Sequence, residues 1–142
     1  MILVSACLAG FPCRWDGKSK ADPRVIDLVK TGKAIPVCPE QLGGLPTPRQ
    51  PAERKGDQVF TRNGTDVTNQ FQRGADIVLA IAQDFQCGKV ILKARSPSCG
   101  KAIIYDGSFS GTMTQGNGVT TELLMQHGIE VYTEEDMNEP SI

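Results

Sequence analysis

The amino-acid sequence predicts an α/β protein, in which short strands alternate with helices along the chain. Five short apolar runs, mostly β-branched and bounded by Gly or Pro, are typical of buried strands. Three segments with helical signals lie between them. Such alternation requires right-handed crossovers, so we expect a mainly parallel sheet with helices on both faces, a three-layer, Rossmann-like arrangement. The 142 residues are enough for one domain, which we place at 1–142.

The strands are predicted from the apolar runs, and the helices from caps and periodicity. The predicted strands are 2–4, 34–37, 90–92, 102–105 and 129–132. The first helix begins at Asp22 with Pro23 and runs to Gly32, and the other two cover 66 to about 86 and 119–128. The middle helix has an apolar stripe at spacings of three and four, formed by Val67, Phe71, Ala75, Val78, Ala82 and Phe85.

Two segments lack a periodic pattern. Residues 41–58 are rich in turn formers, and we expect a long loop that covers a site, because compact domains seldom carry such loops without a use. The tail at about 136–142 is polar, and we expect it to be frayed.

Charge and hydropathy narrow the range of partners. The net charge is −1 and the pI is about 5.8, so we expect no positive electrostatic potential strong enough to hold a long nucleic acid. The amino terminus has no charged leader, and no apolar run reaches the roughly 18 residues that span a bilayer. We therefore expect a cytoplasmic protein with a small-molecule partner and no membrane contact; the sequence does not predict its oligomeric state.

The cysteines carry the strongest functional signal. Cys7, Cys13, Cys38 and Cys99 each lie at or just beyond a predicted strand end, whereas Cys87 lies near a helix end. Open α/β sheets bind ligands at the carboxyl ends of their strands. An odd set of five cysteines in a reducing compartment favours metal binding or catalysis over disulfides. Spacing alone leaves three readings open: an iron–sulfur cluster, a zinc site, and plain buried thiols.

Several motifs resemble one known family. The matching segments are 5–10, 13–17, 38–40, 43–45, 48–49, 64–68, 96–100, 105–109 and 116–119. Together they run through nearly the whole chain, and the chain resembles the short, single-domain form of the thiouracil desulfidase family.

The resemblance implies a cofactor and a reaction. It implies a 4Fe-4S cluster held by Cys7, Cys38 and Cys99, with the fourth iron open to the sulfur of a thiolated pyrimidine. Cys13 also matches the family pattern; it is taken as a pocket thiol with a catalytic role, and its replacing one of the three ligands stays open. The implied substrates are thiouracil and 4-thiouridine 5'-monophosphate, from which sulfur leaves as hydrosulfide in a non-redox hydrolysis.

Polar residues near the cysteines are candidates for proton transfer. Glu40 follows Cys38 by two residues and can activate the attacking water, with Glu53 as the reserve base. Ser96 is predicted as a proton relay or substrate contact, and Ser98 as a substrate contact in the same turn.

A phosphate site is predicted where Gly116, Asn117 and Gly118 lead into a helix, because free amides at a helix start attract anions. Among the nearby cations, Arg49 and Lys101 are predicted to bind substrate. Trp15 is a candidate for stacking on a pyrimidine.

Two rival functions use the same thiols. One is a non-enzymatic zinc or iron–sulfur module that presents a surface to a protein partner. The other is a cluster-dependent lyase or hydratase whose open iron binds oxygen.

Overall fold

The computed structural model describes residues 1–137, and its alternating elements confirm the α/β prediction. The strands are β1 (Ile2–Ser5), β2 (Ala34–Val37), β3 (Ala52–Lys55), β4 (Gln58–Thr61), β5 (Lys89–Leu92), β6 (Ile103–Tyr105), β7 (Met113–Gln115) and β8 (Glu130–Thr133). The helices are α1 (Pro23–Lys30), α2 (Pro39–Leu42), α3 (Thr68–Asp84) and α4 (Val119–Gln126), with 3-10 turns at Ala6–Ala9 and Glu134–Asp136. Within residues 1–137, no helix has the length and apolar character needed to cross a membrane.

The central sheet is parallel and has the strand order β2-β1-β5-β8. The chain places β2 on one side of β1 and β5 on the other, so the strand order reverses at β1. Ligands of open α/β sheets bind in the crevice at such a reversal, outside the carboxyl ends of the strands. Pro36 lacks an N–H but fits in β2, because β2 is an edge strand of this sheet.

Alternate residues of each central strand face two separate cores. Leu3 packs in one cluster with Val78 of α3 and Leu124 of α4. Val4 packs in a second cluster with Val25 of α1. Helices therefore cover both faces of the sheet, as a three-layer arrangement requires.

The predicted strand at 102–105 forms at Ile103–Tyr105, but it lies outside the central sheet. β6 pairs antiparallel with β7 in a separate two-stranded sheet. Its run is buried on one side only, since Ile104 is 5% exposed and Ile103 is 48% exposed. A short apolar run does not distinguish a central strand from a ribbon of this kind. β7 was not predicted, because all three of its residues are exposed and it therefore lacks a buried apolar run.

The prediction of one long loop over 41–58 is wrong. The segment contains the last two residues of α2, all of β3 and the first residue of β4. β3 and β4 form an antiparallel hairpin. Val59 of the hairpin packs on Val67 and Phe71, and Arg54 of β3 donates a 2.6 Å hydrogen bond to Glu122 of α4. These elements span four residues each, too few for a periodic pattern to show.

The helix prediction over 66–86 is confirmed in its main part. Five of the six residues of the predicted apolar stripe are buried. The assignment of Phe85 to this stripe is wrong, because Phe85 follows the end of α3 and is 58% exposed. The predicted polar tail begins inside the ordered structure, because an Asp136 carboxylate oxygen accepts a 2.9 Å hydrogen bond from the Thr133 amide. Met137 packs on the core. The rest of the tail, 138–142, lies outside the described residues.

A close crossing of α2 and α3 depends on glycine. A Cβ at Gly74 of α3 would lie 1.9 Å from the Pro39 carbonyl oxygen. We expect Gly74→Ala to lower the free energy of unfolding by about 1–3 kcal/mol, because the two backbones must separate. Thermal or denaturant unfolding measures this. Gly88→Ala is the matched control, since a Cβ there meets no atom within 4 Å; equal losses in both variants would contradict the crossing.

Candidate functional site

A cavity of about 550 Å³ lies at the carboxyl end of the central sheet, where the strand order reverses. Four cysteines from three loops line it, namely Cys7, Cys13, Cys38 and Cys99. Cys87 belongs to the core cluster beside α3 instead. The sequence prediction that the first four cysteines share one site therefore matches their placement.

The loop after β1 supplies two of these thiols. Cys7 lies in the 3-10 turn that directly follows β1, and Gly10 ends this turn in the left-handed conformation at φ +94°. The Lys20 amide donates a 3.0 Å hydrogen bond to the Cys7 carbonyl, which folds the loop back on itself. Cys13, within that loop, is 5% exposed.

The other two thiols follow β2 and β5. Cys38 is the residue before α2, with Pro39 at the first helical position. Cys99 belongs to the turn 96–100, which the Gly100 amide closes with a 2.8 Å hydrogen bond to the Ser96 carbonyl. The Thr121 hydroxyl donates a 2.7 Å hydrogen bond to the Cys99 carbonyl. This contact fixes the turn on α4.

Burial and a hydrogen bond between two thiols shift the pKa values of the four cysteines. Burial raises the pKa of Cys7 to about 12 and that of Cys99 to about 11, where hydrogen bonds from the Ser5 and Ser98 hydroxyls oppose it. A hydrogen bond from the Cys13 thiol lowers the pKa of Cys38 to about 7 and raises the pKa of Cys13 itself. Metal binding must therefore displace protons from most of these thiols.

The donor set fits an iron–sulfur cluster. Thiolates are the usual ligands of such clusters. Besides burial, the Cys99 and Cys38 thiols help to raise the pKa of Cys7, and the Cys38 thiol helps to raise the pKa of Cys99, so the three lie near one another. Among residues 1–137, no three His, Cys, Asp or Glu side chains converge in a group that could hold a metal ion. The thiols are distributed around the cavity wall instead.

Glu40 is held at the cavity by two neighbours. The Arg49 Nε donates to one carboxylate oxygen and the Ser98 hydroxyl to the other, each at 3.1 Å. Arg49 also donates to the Thr47 hydroxyl at 2.9 Å and to the Cys13 carbonyl at 3.0 Å. The Arg49 side chain is 7% exposed. Its guanidinium donates to these protein groups and holds the Glu40 carboxylate in place, while a substrate contact of Arg49 stays a prediction.

Ser96 and Ser98 form a directed hydrogen-bond chain to Glu40. The Ser96 hydroxyl oxygen accepts from the amides of Ser98 and Cys99, at 3.1 and 3.0 Å. Its own proton is then available to the Ser98 hydroxyl, 3.0 Å away. Ser98 is 2% exposed and passes its proton toward Glu40. The two predicted serines and the predicted base therefore lie in one line, and Ser98 connects them.

The predicted phosphate site is wrong. The amides of Val119 and Thr120 donate to the carbonyls of Pro97 and Ser98, each at 2.9 Å, so they are not free for an anion. Asn117 accepts from the Ala102 amide through its side chain. None of the residues 116–118 lines the cavity. Gly118 permits a close approach instead: a Cβ there would lie 2.4 Å from the Ser98 carbonyl carbon.

Lys101 also lies away from the cavity, contrary to prediction. Its Nζ lies 5.7 Å from the centroid of the Tyr132 ring, beside a separate groove. The residue follows the turn 96–100 in sequence, but its side chain leaves on another side of the molecule. The prediction relied on proximity in sequence, which does not decide the side of the molecule to which a side chain points.

The close approach at Gly118 yields a prediction for the cysteine turn. We expect Gly118→Ala to destabilise the fold by about 1–3 kcal/mol, because the new methyl group displaces the turn that carries Cys99. Thermal or denaturant unfolding measures this effect. Gly116→Ala is the milder control, since its Cβ meets Ile104 at 3.3 Å. Equal effects of both changes would contradict this role.

Further residues line the cavity, some with a predicted role and some without one. Trp15, a stacking candidate, lines the cavity and is 39% exposed. Ser5, Arg62, Tyr105 and Phe109 line it as well, although no role was predicted for them. Both aromatic residues lie in the matching segment 105–109, which was the available signal.

Glu53, the reserve base, also lines the cavity. One of its carboxylate oxygens accepts hydrogen bonds from the amides of Gly107 and Phe109, at 3.0 and 3.1 Å. This carboxylate holds the turn between β6 and β7. Glu40 differs from it in accepting a hydrogen bond from Ser98, which connects Glu40 to the serine chain.

Comparison of the sequence and the structure with known proteins identifies the family of this chain. A family model described as 2-thiouracil desulfurase matches residues 2–136. An uncharacterized protein YbbK of Bacillus subtilis (strain 168) is 44% identical over 149 residues, covering 98% of this chain and 99% of that protein. A solved structure described as a 4Fe-4S-dependent thiouracil desulfidase, TudS, is 46% identical with a TM-score of 0.94, over 99% of this chain and 94% of that one. The chain belongs to the 2-thiouracil desulfurase family.

Proposed function

We propose that this protein is a 4Fe-4S-dependent desulfidase that removes sulfur from thiolated uracils by hydrolysis. One observation carries the proposal: four thiols and the Glu40 carboxylate line the same cavity of a chain from this family. The similar TudS structure is described as a 4Fe-4S-dependent thiouracil desulfidase, which supports the same cofactor here.

Cys7, Cys38 and Cys99 are the proposed cluster ligands, one from the loop after each of β1, β2 and β5. Cys13 remains a pocket thiol beside Cys38. When bound, the cluster supplies a thiophilic, Lewis-acidic iron that holds the substrate sulfur and polarises the carbon bearing it.

The protein side chains manage water and protons. Glu40 takes a proton from a water molecule, whose oxygen forms the new bond to the ring carbon. Arg49 holds the Glu40 carboxylate in place, and Ser98 links that carboxylate to Ser96. As the carbon–sulfur bond breaks, the protonated Glu40 returns its proton through the Ser98 hydroxyl to Ser96, and Ser96 passes a proton to the departing sulfur. Water and thiouracil thus give uracil and hydrosulfide, with no change of oxidation state.

The charges at the cavity suit a small anionic substrate such as 4-thiouridine 5'-monophosphate. Exposed cationic side chains among its lining residues include Lys20 and Arg62. Lys93 and Arg95 also line it, although they pair with Glu134 and Glu135. A phosphate at this rim replaces the site predicted at 116–118. A cytoplasmic location completes the proposal, since that compartment keeps the thiols reduced.

The test uses protein loaded with cluster under anaerobic conditions. Incubation with 2-thiouracil or 4-thiouridine 5'-monophosphate should remove the thiocarbonyl absorbance and release sulfide in equal amounts. A colourless zinc protein without turnover would support the binding-module alternative instead. Brown, fully loaded protein that leaves both compounds unchanged would contradict the desulfidase proposal.

A further inference from the structure

Phe109 has a backbone conformation that bulky residues rarely adopt. It lies in the turn between β6 and β7 with φ +56°, in the left-handed region that favours glycine. Strain of this kind persists only where surrounding contacts enforce it, and it concentrates at ligand clamps and active sites.

Three contacts enforce the conformation. The Glu53 carboxylate of β3 accepts hydrogen bonds from the Phe109 and Gly107 amides. At Gly107 a Cβ would lie 2.8 Å from the Lys55 side chain, so the turn packs directly on β3. The Arg62 guanidinium lies over the Phe109 ring, 5.9 Å from its centroid. The β3–β4 hairpin therefore holds the ring in one place.

The ring so held lines the cavity of the four thiols. An aromatic face binds planar bases without reading their hydrogen-bonding edges, because every base has a π-face. It therefore leaves the sulfur-bearing edge of a pyrimidine free for chemistry elsewhere in the cavity.

We infer that Phe109 is a substrate-binding residue on which the planar ring of the substrate stacks. This inference rests on the proposed function, which supplies the planar thiolated pyrimidine. Phe109 acts in binding, and the cysteine loops and Glu40 act in chemistry.

The test compares three changes at Phe109 in loaded protein. For 2-thiouracil, Phe109→Leu and Phe109→Gly should raise KM roughly tenfold and change kcat less than about threefold, given what base stacking contributes. Phe109→Tyr keeps the aromatic face and should restore KM to within about twofold of the parent. Iron content should stay unchanged in all three. Phe85→Leu, at an exposed position after α3, is the matched control.

Thermal unfolding separates binding from a structural role. Glycine adopts the left-handed conformation without strain, so Phe109→Gly should unfold no earlier than the parent protein. A parent-like KM in Phe109→Gly, or a rise confined to a Trp15→Leu variant, would overturn the inference while leaving the desulfidase activity in place. A lower unfolding temperature together with lost iron would also overturn it, since Phe109 would then support the fold. Parent protein without any desulfidation would overturn the proposed function and this inference with it.

Discussion

Replacing Cys7, Cys38 or Cys99 singly by alanine is expected to abolish retention of the cluster, whereas Cys13→Ala should keep most of its iron. The first three thiols come from the loops after three neighbouring parallel strands. Loss of one ligand from a three-ligand site leaves two anchors for the cluster, too few to hold it during purification. Cys13 lies beside Cys38 but belongs to the same loop as Cys7.

Iron and acid-labile sulfide per chain measure this result after anaerobic reconstitution. Cys87→Ala is the matched control, because Cys87 is buried like Cys7 and Cys99 but belongs to the core cluster beside α3. Unfolding of the cluster-free variants shows whether each still folds. Full iron loss in Cys13→Ala, with iron kept in one of the other three, would mean that Cys13 replaces that ligand.

Glu40→Gln is expected to lower kcat by about a hundredfold or more while the cluster stays bound, as the loss of a general base usually does. The glutamine amide has nearly the same shape as the carboxylate. Its oxygen can still accept from Arg49, and its NH2 group can donate to the Ser98 hydroxyl. It cannot take a proton from water. Glu40→Gln therefore keeps the side chain in place but removes its function as a base.

Turnover of 2-thiouracil and the iron content of the same preparation measure the two halves of this prediction. Glu130→Gln is the control, since Glu130 lies on β8 with its side chain 59% exposed and does not line the cavity. Activity equal to the parent in Glu40→Gln would place the base elsewhere. A large loss in Glu53→Gln alone would assign the role to Glu53.

The layers of the fold were predictable because their signals are local and repeated. The stripe from Val67 to Ala82 marks the buried face of α3, and the runs at β1, β2, β5 and β8 mark the central sheet. The β3–β4 hairpin was not predictable, because Val59 is the only buried residue in its two strands. Its stability comes from contacts with α3 and α4 that no local pattern reveals.

The candidate site was predictable where it depends on residue type at a strand end. Cys7, Cys38 and Glu40 are in this class, whereas Cys99 lies further along the loop after β5. The roles of Arg49 and Gly118 depend on which loops meet in space. Arg49 reaches Glu40 across nine positions of the chain, and Gly118 touches a turn twenty positions earlier. Spacing in sequence does not report such contacts.

Mössbauer spectroscopy of protein loaded with iron-57 tests most directly whether one iron of the cluster is open to substrate. We expect a 4Fe-4S signal in which one iron differs from the rest and shifts when 2-thiouracil is added. A signal that is unchanged by the substrate, with every iron bound to protein sulfur, would contradict this expectation.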